Sequence, residues 1–294
     1  MSAYFAATNR NKKSICLNLK HPKGRRIVLE LARKVDIVVD NFIPGKLEEL
    51  GIGFDDLRNI NPSIIHASIS GYGSGGPYRQ RAGYDVIAGA EAGLLHITGE
   101  ADGPPSRPGV ALTDMSTGLF LHGAILAALW YRSQTGHGQK IDASLFETQI
   151  ALLANVASTW LNTGQEAKRW GTSHPSIVPY QAFSAKDAFF VLGAVNNRQF
   201  EILCERLGLT ELSTDTRFLT NNDRVRNRDQ LIPLLNERFS SQPVKKWLEV
   251  FEGSGMPYGP INTIEKVFDH PQSAAREMVQ TVPFSAANLA ISNY

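Results

Sequence analysis

Asp36-Ile-Val-Val-Asp-Asn-Phe-Ile-Pro-Gly45 and Ser63-Ile-Ile-His-Ala-Ser-Ile-Ser-Gly-Tyr-Gly-Ser-Gly-Gly-Pro77 decide how this chain folds. Each is a short run rich in β-branched residues that stops at a glycine- or proline-bearing loop, the signature of a strand. Around them the apolar spacing is helical. Ile27, Val28, Leu31 and Ala32 predict a helix over 25–34, and Leu47, Leu50 and Leu57 mark shorter helical pieces. Gln139-Lys-Ile-Asp-Ala-Ser-Leu145 is a further strand, and the alternation in residues 14–19 predicts one more ahead of the first. Strands alternating with helices give an α/β fold, an open parallel sheet with helices on both faces.

Ligands of such sheets bind where strand carboxyl ends open into loops. Two loops qualify, Asn41-Phe-Ile-Pro-Gly45 and Gly71-Tyr-Gly-Ser-Gly-Gly-Pro77. The second holds a G-x-G-x-x-G pattern, but Pro77 and polar residues follow it. A dinucleotide fingerprint needs a helix to start in that turn, so nicotinamide and flavin binding are disfavoured. Residues 83–98 predict one helix rich in glycine and alanine. Next comes Gly109-Val-Ala-Leu-Thr-Asp-Met-Ser-Thr-Gly118, in which Asp114 ends a short apolar run. Leu119, Ile125, Ala127, Ala128 and Leu129 then predict a buried helix about 16 residues long, ended by Thr135-Gly-His-Gly138. On this reading Asp114 precedes the helix, whose dipole and free N–H groups keep the carboxylate ionised. Taken alone, an aspartate there is most simply an N-cap.

The character changes after a long helix predicted over 147–162. Residues 165–175 are polar and irregular. A strand pair follows at Tyr180-Gln-Ala-Phe183 and Ala188-Phe-Phe-Val-Leu-Gly193, then helices over 197–207, 227–239 and 243–253, a turn from Gly253, and another helix from 261. The expected division is a large α/β domain over 1–163, a linker over 164–177, a smaller α+β domain over 178–272 and a tail over 273–294. Thirty basic against 28 acidic residues leave a net charge of +2, which gives no reason to expect nucleic acid. Cys16 and Cys204 lie in apolar settings and suggest neither a disulfide framework nor a metal site. No continuous apolar run reaches the ~18 residues of a membrane span, and the basic residues of the amino end follow its apolar ones, unlike a secretory signal.

The pieces, in order, resemble the family III CoA-transferases of the CaiB/BaiF type. The resemblance rests on Asn9-Arg-Asn-Lys-Lys-Ser-Ile-Cys-Leu-Asn-Leu-Lys20, Asn41-Phe-Ile-Pro-Gly45, Ser70-Gly-Tyr-Gly-Ser-Gly-Gly-Pro77, Ala82-Gly-Tyr-Asp85, Arg107-Pro-Gly109, Asp114-Met-Ser-Thr-Gly118 and Thr135-Gly-His-Gly-Gln139. Each segment alone is weak, but the ordered set is specific. Lys168-Arg-Trp-Gly-Thr-Ser-His174 and Ser176-Ile-Val-Pro-Tyr-Gln-Ala-Phe183 carry a closer likeness to the succinate–hydroxymethylglutarate type.

The resemblance implies a Rossmann-like catalytic domain and subunits interlocked as a homodimer. It places the catalytic carboxylate on Asp114 and contacts to the CoA substrate on Leu17, Lys20, Asn41, Phe42, Tyr84, Asp85 and Leu145. It implies transfer of CoA from a succinyl-CoA or glutaryl-CoA type of donor to a dicarboxylic acid. No permanently bound cofactor and no metal are implied, because one thioester is traded for another. Arg10, Lys12 and Lys13 would add positive potential, and Arg107, Arg169 and His174 are candidates for the acceptor carboxylates. Two positions depart from a close relative's pattern: Glu49 replaces a basic CoA contact, and Ala82, beside Arg81, replaces an active-site lysine. Family members also carry a strand–helix unit ahead of the matching region and a closing strand and helix after about Val282. A non-catalytic form therefore stays open as an alternative. So does a 2-methylacyl-CoA racemase, which Tyr84 disfavours: racemases place a histidine base there, and tyrosine, with a pKa near 10, is a poor base. The likeness suggests mitochondria, with the cytoplasm as the alternative.

Overall fold

A computed structural model describes residues 3–282 and 291–293. The chain divides into two compact units, Ile15–Gly171 and the combination of Met1–Ser14 with Thr172–Tyr294.

The first unit is built on a three-stranded parallel sheet in the order β1 (Ile37–Asp40), β2 (Ile65–Ser70), β3 (Lys140–Ser144). Asp40 pairs with Ser68, and Ser68 with Asp142. In-register residues of parallel strands share a face. One face therefore carries Ile37, Val39, Ile65, Ala67, Ile69, Ile141 and Ala143. The other carries Val38, Asp40, His66, Ser68, Ser70, Lys140 and Asp142. The helices Pro22–Ala32 and Phe54–Ile60 pack on the second face through a small core of Ala32, Leu57 and Ile64, joined by Leu29, Val38 and Phe54. Phe54 stacks on the His66 ring at 6.2 Å. The helix Leu112–Thr135 packs on β2 and β3 and on the helices Asp85–Glu91 and Leu145–Leu152.

In the second unit β4 (Tyr180–Ser184), β5 (Phe189–Gly193) and β6 (Tyr258–Pro260) form an antiparallel sheet in that order. Its core is aromatic. Phe239 lies 4.7 Å from Phe183, 5.1 Å from Phe190 and 5.3 Å from Trp247, whose indole N–H donates to the Phe239 carbonyl at 2.7 Å. Arg224 is wholly buried, and its guanidinium donates to the carbonyls of Val178 and Phe218 and to Asn197. Gln280–Val282 pairs with Ile291–Asn293.

Five expectations are corrected. Residues 14–19 form no strand. Ser14, Ile15 and Cys16 are all exposed, no described strand takes the segment's backbone groups, and Asn18 turns the chain by accepting the N–H groups of Lys20 and His21. The helix over 83–98 is broken at Gly93, whose φ of 87° is left-handed. The helix over 147–162 is two helices, Leu145–Leu152 and Ala154–Thr163, because Ala154 takes a φ of 46°. That conformation costs an alanine about 1–2 kcal/mol.

The remaining two corrections concern the helix Leu112–Thr135. It is 24 residues long, half as long again as its apolar periodicity suggests, and it starts before Asp114. It is also far from buried. Thr113, Thr117, Leu121 and Ala128 form its buried stripe, while Leu119 and Trp130 are 72% and 70% exposed. With a mean hydropathy of 1.3 over its most apolar window, it is long and apolar enough to cross a membrane by length and composition.

Candidate active site

The site is assembled by a loop that must pass close to itself. Gly71 follows β2, and Gly83 ends the loop that begins there. A Cβ on Gly71 would sit 2.6 Å from the Gly83 Cα, and one on Gly83 would strike Gly71. Only two glycines let these backbones touch. The loop between them is tied down at several points. The Gly73 N–H donates to Ser70 Oγ at 3.0 Å, the Ser74 N–H and hydroxyl both donate to the Asp142 carboxylate, and the Gly71 carbonyl accepts the Phe146 N–H. Arg81 pairs with Glu91 at 2.7 Å and lies against the rings of Tyr72 and Tyr78. No helix starts in the glycine turn, as the sequence predicts; the next begins at Asp85.

The crossing delivers Asp85 to the start of the Leu112–Thr135 helix. Its Oδ1 accepts the N–H of Thr113 at 2.9 Å and of Asp114 at 3.1 Å. Asp85, not Asp114, therefore caps this helix, from a different element. Asp114 is the third helical residue, in the first turn. Behind it the Thr113 hydroxyl donates to Gln149 Oε1 at 2.9 Å in a buried link to the helix Leu145–Leu152.

The electrostatics at Asp114 run against the expectation from the helix dipole. Its carboxyl is pushed up from the ordinary aspartate value, first by burial and then by the negative charge of Asp85. Asp85 has already taken the N–H groups that would have stabilised the charge. Asp114 as a whole stays accessible to solvent while its carboxyl is partly desolvated, and the carboxylate has no hydrogen-bond or ion-pair partner among the described residues. Such a group keeps its lone pairs free and is more basic than an ordinary carboxylate, which suits it to attack a carbonyl carbon.

The structure brings Asp85 against Asp114; Leu145 is buried as the first residue of the helix Leu145–Leu152, which packs on the helices that carry both. Tyr84 precedes Asp85 and is 73% exposed. Asn41 and Phe42 sit in the loop after β1, with Phe42 44% exposed. Phe42 borders a cavity of about 20 Å³ lined also by Asp40, His66, Ser68, Ser74 and Asp142, space for one water-sized group. No hydrogen bond or ion pair joins Leu17 or Lys20 to these groups among the described residues. Leu17 is half-buried and Lys20 exposed, beside the Asn18 turn. Of the candidates for acceptor carboxylates, Arg107 donates, among the described residues, to the neighbouring Pro108 carbonyl, and Arg169 donates to the His96 carbonyl. His174 stacks on Tyr180 at 5.6 Å and accepts the Ser176 N–H.

The sequence profile of CoA-transferase family III matches residues 1–291. The chain belongs to this family. An acyl-CoA transferase of Fusarium pseudograminearum is 56% identical over 98% of this chain and 63% of its own length. The succinyl-CoA:glutarate CoA-transferase of Mus musculus is 54% identical over 92% of this chain and 62% of its own length. The chain thus spans somewhat under two thirds of the length of these relatives. A crystal structure of a CAIB/BAIF family protein from Brucella suis superposes with a TM-score of 0.86 at 41% identity, covering 99% of this chain and 79% of that one.

Within this family III chain, three features escape sequence reasoning. The cap from Asp85 spans 28 residues, so no local pattern announces it. Gln149 lies inside a helical pattern where it looks like a surface residue. Arg81, beside the position where a close relative has lysine, is engaged by Glu91 and is not an open cation.

Proposed function

We propose that the chain carries the catalytic core of an acyl-CoA:dicarboxylate CoA-transferase that uses Asp114 as nucleophile. The observation that carries this reading is the unpartnered Asp114 carboxylate in the first turn of the Leu112–Thr135 helix, its basicity raised by burial and by Asp85. An Asp114 oxygen attacks the thioester carbon of the donor, and CoA leaves as a thiolate, giving a mixed anhydride. The thiolate then attacks the aspartyl carbonyl, releasing the first dicarboxylic acid and leaving an aspartyl-CoA thioester. The acceptor carboxylate attacks that carbonyl and expels the thiolate again. The thiolate finally takes the acceptor's acyl group and frees Asp114. Backbone N–H groups of the fixed glycine loop are suited to the oxyanions formed on the way.

Relatives named succinyl-CoA:glutarate CoA-transferase favour succinyl-CoA or glutaryl-CoA as donor and a dicarboxylic acid as acceptor. The exposed apolar side of the Leu112–Thr135 helix, with Leu119, Phe120 and Trp130, supports a homodimer that covers it. The same side accounts for the helix's membrane-like composition without a membrane, because its first turn is held by Asp85 and Gln149. The likeness to the glutarate-type enzymes supports a mitochondrial setting.

The test is exchange of labelled succinate with glutaryl-CoA, followed by trapping of a covalent Asp114–CoA thioester by mass spectrometry. Exchange that survives Asp114→Ala refutes the role of Asp114. CoA binding without exchange assigns the chain a non-catalytic role.

A further inference from the structure

The carboxyl ends of β1 and β2 hold a buried charged cluster that the reaction does not use. His66 is 1% exposed, and the Asp40 side chain 8%. Asp40 Oδ2 is bonded to His66 Nε2 at 2.8 Å and accepts the Ser68 hydroxyl at 2.6 Å. Asp40 Oδ1 accepts the N–H of Phe42 at 3.0 Å. Burial pushes the Asp40 carboxyl up, but the bonds from His66, Ser68 and the Phe42 N–H, with the electrostatic pull of the imidazole, hold it below the ordinary aspartate range. An ionised carboxylate only accepts, so His66 Nε2 donates. His66 Nδ1 is buried and has no hydrogen-bond partner among the described residues.

Sheet register explains why these groups meet, because Asp40 pairs with Ser68 and His66 lies two residues before Ser68 on the same face. The other charged groups around the same cavity are Glu48, Lys140 and Asp142. Glu48 pairs with Lys140 at 3.1 Å, and Asp142 is taken by Ser74, so none of them competes for Asp40. A buried ion cluster with one unmet nitrogen is a poor way to gain stability. What it fixes is the N–H of Phe42 itself, the second residue of the loop that leaves β1, next to exposed Asn41.

We propose that Asp40, clamped by His66 and Ser68, is a positioning residue that presents Asn41 and Phe42 to the CoA part of the substrate. The inference rests on the CoA-transferase reading above. Its effect falls on capture of CoA and not on the chemical steps at Asp114. Losing the clamp frees the loop, so Asp40→Ala raises the KM for the acyl-CoA donor and the Kd for CoA about tenfold, with kcat within about twofold, the effect of one charge-assisted hydrogen bond. Ser68→Ala, which removes one of two clamping donors, raises both about threefold. His66→Gln, which keeps an N–H donor, recovers most of the affinity lost in His66→Leu.

The experiment measures calorimetric binding of CoA, KM and kcat for this set, with amide exchange at Phe42. A purely structural role lowers kcat through the active fraction and leaves KM alone, which overturns the proposal. If Asp40→Ala does not fold, the decision falls to Ser68→Ala and His66→Gln. Wild-type protein that binds no CoA overturns both this inference and the reading it rests on. Wild type that binds, with the variants within about twofold of it, overturns this inference alone.

Discussion

Asp85 holds the start of the nucleophile's helix and also raises the basicity of the nucleophile, and two substitutions separate these effects. In Asp85→Ala the N–H groups of Thr113 and Asp114 lose their shared acceptor. Removal of a helix cap costs about 1–2 kcal/mol, here toward the upper end because one charged oxygen serves two donors. Relief of the repulsion between Asp85 and Asp114 gives part of that back, though only a little, since Asp114 is exposed and solvent screens the pair. A domain of this size loses roughly 2–4 °C of Tm per kcal/mol, so the expected fall is about 3–6 °C. Asp85→Asn keeps the acceptor, and asparagine caps as well as aspartate, so Tm stays within about 1–2 °C of wild type. The charge is gone, however, and with it one of the two causes that push Asp114 up. Its proton then leaves at lower pH, so the acidic limb of the exchange rate moves to lower pH in Asp85→Asn. Differential scanning fluorimetry and a pH–rate series on label exchange measure both. An acidic limb that stays in place or moves up in Asp85→Asn refutes the like-charge argument. An undiminished Tm in Asp85→Ala refutes the cap.

The ionised, unpartnered Asp114 is a liability in the folded state, because a carboxyl pushed up by burial and by Asp85 is penalised when charged, above its folded pKa. Asp114→Asn therefore leaves Tm at pH 7 unchanged or raised while exchange falls by about 10³-fold or more; a clear loss of Tm counts against this. Asp40 has the opposite sign. Its folded value lies below the unfolded one, so its contribution is present above about pH 4 and is lost as pH falls through the folded value; melts taken from pH 6 downward should steepen there, and Asp40→Asn should flatten them. Gly71→Ala drives a Cβ into the Gly83 backbone and is expected to cost about 1–3 kcal/mol, with loss of exchange through displaced Asp85, as melts and rates will report. Trp130→Glu places a charge on the exposed apolar side of the Leu112–Thr135 helix, and sedimentation should show the proposed homodimer giving way to single chains.

The α/β alternation was readable because the strands of the first unit are bounded by glycine and proline loops, and the strand pair of the second by the turn at Lys186 and Asp187. That no helix starts in the glycine turn was readable too, since Pro77 follows the glycines. Residues 14–19 misled because alternation shows that a segment suits a sheet and says nothing of a neighbour to pair with. Gly93 and Ala154 broke predicted helices through left-handed backbone that helical periodicity cannot register. At the site, Asp114 stood out through resemblance and position, but the sign of its electrostatics did not. That sign depends first on desolvation of the carboxyl and then on Asp85, which the fold brings across a pair of touching glycines. Asp40, His66 and Ser68 were hidden for a similar reason: on paper they are polar interruptions in strands, and only the pairing of β1 with β2 makes them neighbours.

The two-sided chemistry of the parallel sheet also guards its assembly. Sliding β2 by one residue along β1 would turn His66 and Ser68 toward the oily side and bring Ala67 or Ile69 opposite Asp40. Neither misthreaded partner could satisfy the carboxylate, so errors of alignment meet a heavy desolvation penalty as the chain compacts around them. Strands of four to six residues have few ladder bonds with which to choose a frame; here one buried acid chooses it for them.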